Sequence, residues 1–129
     1  MITYPDAPLP KFGDYSTLGI GTPGEIVVVA GQMGADGTGA FPTSDGAEQV
    51  KATFDNLGAA LAAAGLGFEH VTMARIYLTA FERDYAGLNA IWPSFFEAGK
   101  LPARTTVGVT GLAVGAIVEI DLVVRRTPA

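Results

Sequence analysis

The chain predicts an α+β fold: one mixed β-sheet with two helices packed on one face. Three observations carry this. β-branched or alternating apolar runs typical of strands recur along the chain, most clearly Ile26-Val-Val-Val29 and Ile117 to Val124. Two intervening segments carry apolar residues at helical spacing. The resulting order, β-β-α-β-α-β-β within 129 residues, leaves room for one sheet and one helical layer. Residues 1–129 therefore read as a single domain, with no length for a second core.

The elements follow in order. Residues 1 to 14 are rich in proline and are expected to wrap the surface. Tyr15 to Ile20 is a candidate first strand. Thr22-Pro-Gly-Glu25 has proline and glycine at the centre of a type II turn. Glu25 to Gln32 is the second strand, and Gly34 to Ala40 the expected tip of a hairpin. Asp45 followed by Glu48 fits a capping box, with Ser44 a rival cap. Val50, Phe54, Leu57, Leu61 and Ala64 then line one helical face, and Gly65 and Gly67 end that helix. Val71 to Thr79 is a strand. Asp84 is the expected cap of a second helix presenting Tyr85, Leu88, Trp92 and Phe95, stopped by Gly99 and Pro102. Thr105 to Thr110 and Ile117 to Val124 are the last strands. In the final one, Val118, Ile120, Leu122 and Val124 alternate towards the helices, while Ile117, Glu119, Asp121 and Val123 face the other way. A face mixing carboxylates with large apolar groups suits a subunit interface holding a polar pocket.

Composition narrows the function. Hydrophobic residues make up 49% of the chain and mean hydropathy is +0.34, which favours self-association. The longest apolar stretch, Ala59 to Phe68, contains two glycines and is too short to span a bilayer, so no membrane partner is expected. A net charge of −5 and no basic cluster argue against nucleic acid. The absence of cysteine excludes thiolate catalysis, disulfides and zinc–sulfur sites. The first residues lack a basic stretch followed by an apolar core, so a cytoplasmic location is the expectation.

The chemistry concentrates late in the chain. Arg104, in Leu101-Pro-Ala-Arg-Thr-Thr-Val107, stands at the mouth of a strand, and Glu119 follows fifteen positions later. A guanidinium fork binds a carboxylate through two parallel hydrogen bonds, and a buried glutamate can exchange protons near neutral pH. Two readings stay open: a substrate site, or a structural ion pair of Arg104 with Glu119 or Asp121. Asn89 lies four residues before Pro93, which removes the donor to its carbonyl and should bend the helix there. The lone His70 has no partner motif. No Gly-x-Ser-x-Gly elbow or metal-ligand cluster is present, so neither a metal nor another cofactor is expected.

Taken together, Val28-Val-Ala-Gly-Gln32, Leu61-Ala-Ala-Ala-Gly65, Asn89 with Phe95-Phe96, Pro102-Ala-Arg-Thr-Thr106 and Val118-Glu-Ile-Asp121 resemble the Rid (YjgF/YER057c/UK114) family of reactive-intermediate deaminases. The resemblance runs from about Tyr15 to Arg126. It implies a chorismate-mutase-like fold and a homotrimer, with the sheets lining a central barrel and sites between subunits. It implies cofactor-free hydrolysis of 2-imino and 2-enamino acids, such as 2-aminoacrylate, to 2-keto acids and ammonia. Arg104 matches the family's carboxylate-binding arginine and Glu119 its water-activating glutamate. Tyr15, Ala30, Gly31, Asn89 and Thr106 fall on the pocket wall. Three positions depart from the familiar pattern: Asp14 replaces a proline before the tyrosine, Ala30 a serine, and Thr106 a cysteine. The alternative within the same fold is a non-catalytic trimer that binds small carboxylates.

Overall fold

The computed structural model describes residues 2–21 and 23–126. Its main sheet has four strands, β3 (Glu25–Gln32), β4 (Val71–Leu78), β5 (Ala103–Gly108) and β6 (Val118–Arg126), in the order β3-β6-β4-β5. β6 runs antiparallel to both β3 and β4, while β4 and β5 are parallel, so the sheet is mixed as expected. Two helices, α1 (Gly46–Ala63) and α2 (Phe81–Ile91), cover one face. A separate short ribbon pairs β1 (Ile2–Thr3) with β2 (Ile20–Gly21). No helix is long and apolar enough to cross a membrane among the described residues.

The last strand sorts its side chains as its alternation predicts. Val118, Ile120, Leu122 and Val124 are at most 1% exposed beneath the helices. The core they join is aromatic at one end: the Phe54 ring stacks on Phe95 at 3.8 Å and meets Trp92 edge-on. The opposite face carries no helix, and there Ile26 is 61% and Val28 70% exposed.

Several boundaries differ from expectation, each for a local reason. Tyr15 to Ile20 is not a strand; only Ser16 bridges Ala103, and Ile20 joins the small ribbon instead. Part of the expected Thr22 turn lies outside the described residues. Gly34 to Ala40 leads into a helix rather than forming a hairpin tip. Its turn is closed by the Asp36 carboxylate, which accepts from the Thr38 and Ala40 N–H groups and the Thr38 hydroxyl, holding that acid below the usual range. Asp45 does cap α1 by accepting from the Glu48 N–H, but the Glu48 carboxylate turns to the Thr43 hydroxyl, so the box is half closed. Asp84 is not a cap. The helix begins three residues earlier, and Arg83 holds the Asp84 carboxylate through two bonds of 2.9 Å. Pro93, not Gly99, ends the α-helical turn: residues Trp92–Phe95 tighten into a 3₁₀ turn because proline lacks the N–H an α-helix needs.

Candidate active site

The tail of α2 and the start of β5 build an arginine clamp. Tyr85, Asn89 and Trp92 recur four and three residues apart, so they share a helical face. That face lies against Arg104. The Arg104 Nη2 donates to the Asn89 Oδ1 at 2.6 Å, so the asparagine side chain is aimed at a neighbour just before the proline break. The guanidinium carbon lies 5.4 Å from the Tyr15 ring centre, 5.9 Å from that of Tyr85 and 5.3 Å from that of Trp92. Arg104 is only 7% exposed. Burial pulls its pKa below the ordinary arginine value, against the opposing influence of Tyr85, Tyr15 and Asp14.

Three polar atoms of this clamp make no hydrogen bond among the described residues: the buried Arg104 Nη1, the buried Thr106 hydroxyl and the buried Trp92 Nε1. A buried donor without an acceptor costs about 1–3 kcal/mol, more for a charged group. Arg104 and Thr106 are two residues apart on β5 and share one face. A single anion can accept from both.

Glu119 lies elsewhere. In the register of the sheet Arg104 neighbours Ala74 and Thr106 neighbours Ile76, both fully buried on the helical side. Glu119 neighbours Tyr77 and points to the uncovered face. Between Val29 and Gln32 one extra residue bulges out of β3, opposite the step from Leu122 to Ile120. The bulge brings Gly31 under Glu119 so closely that a Cβ there would overlap the Glu119 carboxylate. Only glycine fits without displacing the carboxylate. Ala30 is exposed beside it, and its carbonyl accepts from the Gln32 amide at 3.1 Å.

The expected site residues thus fall into two groups on opposite faces of one sheet. Arg104, Asn89, Tyr15 and Thr106 form one; Glu119, Gly31 and Ala30 form the other. The ion-pair alternative for Arg104 is not realised. Asp121 is engaged by Arg75 Nε at 2.7 Å and by the Tyr77 hydroxyl at 3.0 Å. A surface hollow of about 530 Å³ between the starts of α1 and α2 is lined by Asp45, Arg83 and Asp84, away from both groups. Among the described residues no cluster of three or more His, Asp or Glu could hold a metal. The sequence places Tyr85 and Trp92 only on one face of the second helix, with no role at the site. Their spacing from Asn89 was the available signal of a shared role.

The comparisons with known proteins agree with this architecture. The family profile described as Endoribonuclease L-PSP matches residues 6–126. The RutC family protein YjgH of Escherichia coli is 38% identical over 104 residues, covering 79% of this chain and 76% of its own length. The 2-iminobutanoate/2-iminopropanoate deaminase of Rattus norvegicus is 33% identical over 103 residues, covering 79% and 74%. The crystal structure of the Rid family protein YyfB of Yersinia pestis superposes with a TM-score of 0.87 over 97% of this chain and 98% of that one, at 22% identity. With a family profile spanning nearly its whole length and relatives above 30% identity, the chain belongs to the Endoribonuclease L-PSP, or Rid/YjgF, family.

Proposed function

We propose that the protein hydrolyses small 2-imino acids and their enamine tautomers to 2-keto acids and ammonia, at sites completed by two copies of the chain. The observation that carries the reading is the buried Arg104 Nη1 and the buried Thr106 hydroxyl, on residues that share one face of β5, both without a hydrogen-bond partner among the described residues. They suit the carboxylate of a 2-imino acid. The rat relative named as an imine deaminase supports the choice of reaction.

Hydrolysis needs a water, a proton acceptor and a proton donor, but no nucleophilic side chain, because a protonated imine carbon is already electrophilic. Glu119 takes a proton from water as the water oxygen bonds to the protonated imine carbon and the C=N electron pair moves to nitrogen. It gives that proton to the carbinolamine nitrogen, then accepts the hydroxyl proton as the C–N bond breaks, so the ketone forms, and passes it to the departing ammonia, which leaves as ammonium. Arg104 holds the carboxylate throughout.

Within one chain Glu119 cannot meet a ligand on Arg104, since the sheet lies between them. A second copy packed on the uncovered face can bring its own Glu119 group to the edge where Arg104 stands. The exposed Ile26, Val28 and Val107 on that face support such packing, and a ring of three copies with the sheets lining a central barrel is the assembly we assign. The endoribonuclease in the family's name finds no support in the chain's chemistry. The net charge is −5, and the single histidine, His70, makes a local contact with Gly67.

The direct experiment is a coupled assay in which a lyase generates 2-aminoacrylate. Added protein should accelerate keto-acid formation several-fold over spontaneous hydrolysis. Unchanged rates at micromolar protein would leave the non-catalytic carboxylate binder as the better reading.

A further inference from the structure

Residues Phe12 to Tyr15 cross directly over Arg104. A Cβ on Gly13 would lie 2.9 Å from both the Arg104 Nη2 and the Asn89 Oδ1, so the backbone there presses on the clamp itself. Downstream the segment is anchored at Ser16, whose N–H donates to the Pro102 carbonyl at 3.2 Å and whose hydroxyl donates to the Leu101 carbonyl. Over the arginine, among the described residues, one hydrogen bond ties it to the helix: the Tyr85 hydroxyl donates to the Phe12 carbonyl at 2.8 Å, while the bond from the Phe12 N–H to the Tyr15 hydroxyl at 3.2 Å lies within the segment. Within one chain burial of its tip adds little, because Phe12 is 76% exposed.

We infer that Tyr85 is a positioning residue: its hydroxyl latches the 12–15 strap over Arg104 and so sets how readily a small carboxylate reaches the guanidinium. The Tyr85 ring is fixed for this by stacking on Phe81 at 4.6 Å and 19°. A strap held by polar contacts at an exposed edge opens far more easily than a buried one. Opening it uncovers a cation that is otherwise almost fully enclosed. The ligand's part in this rests on the carboxylate reading of Arg104, whereas the latch itself does not.

The test is arginine-specific labelling by phenylglyoxal of the assembled full chain, read residue by residue by mass spectrometry. Arg83, whose side chain is 59% exposed, serves as the internal reference. Tyr85→Phe keeps the ring and its stacking and removes the hydroxyl, and with it both the latch bond and that hydroxyl's direct influence on Arg104, so Gly13→Ala, which leaves Tyr85 intact, is the companion that isolates the strap. Without ligand Tyr85→Phe should raise the labelling rate of Arg104 roughly fivefold, the population change expected from losing one ordinary hydrogen bond, with Arg83 unchanged. Gly13→Ala, which forces the strap off the clamp, should raise it as well. If Tyr85→Phe failed to fold, Tyr85→Leu supplies the same loss of the hydroxyl. Arg104 labelled at the wild-type rate in a folded Tyr85 variant overturns the latch. Pyruvate should protect Arg104 in the wild-type protein. Failure to protect would sink the carboxylate reading, and the ligand-free rates would still decide the latch.

Discussion

Arg104→Lys should lose roughly 2–3 kcal/mol of transition-state stabilisation in the deamination assay, the scale of one strong charge-assisted contact. The guanidinium does three things at once. It donates Nη2 to Asn89, lies within 6 Å of the Tyr15, Tyr85 and Trp92 ring centres, and leaves Nη1 without a hydrogen bond among the described residues. A lysine ammonium is a point charge with no plane to stack and no fixed fork. Enclosed to the same degree, it would also tend to shed its proton, since burial disfavours the charged amine. The loss should appear in pyruvate binding as well as in kcat/KM, because the contact is made to the carboxylate before and during reaction. A lysine variant with wild-type turnover would reduce Arg104 to a structural role.

Glu119→Gln should cut deamination roughly 10²-fold or more while leaving pyruvate binding nearly unchanged, as expected when a general acid–base is removed from an intact site. Glutamine keeps the shape of the side chain above Gly31, where the fit is closest. It cannot take up a proton from water. The split between kcat and binding is the informative part. A protein that only binds carboxylates has no deamination to lose. If the wild-type protein deaminates and the glutamine variant does so equally well, the proton carrier must be another group, and a water held near Thr106 becomes the better candidate.

The sheet and its helical layer were legible because their signals are periodic. The alternation of Val118, Ile120, Leu122 and Val124 specifies a buried face, and the structure buries all four. Asn89 was found through Pro93, since a missing donor marks the carbonyl four residues before it. What stayed hidden depends on strand order. Nothing in the spacing of Arg104 and Glu119 says that β4 lies between their strands, or that the two side chains take opposite faces. The β3 bulge was invisible for a similar reason, because it appears only when residues 29–32 are set against β6. The strap over Arg104 was also missed. Proline-rich residues 1–14 carry no periodicity, and the hydrogen bond from Tyr85 to Phe12 spans 73 positions.

On the proposed function, Arg104 and Glu119 act in one site but come from different copies of the chain. Mixing two inactive variants tests this most directly. Arg104→Lys and Glu119→Gln proteins would be unfolded together, refolded in equal amounts and assayed for imine hydrolysis. If neighbouring copies share each site, random pairing around a ring restores intact sites, and activity should return to about a quarter of the wild-type rate. Activity no higher than that of the separate variants, in a mixture shown to contain hybrid assemblies, would contradict the shared site.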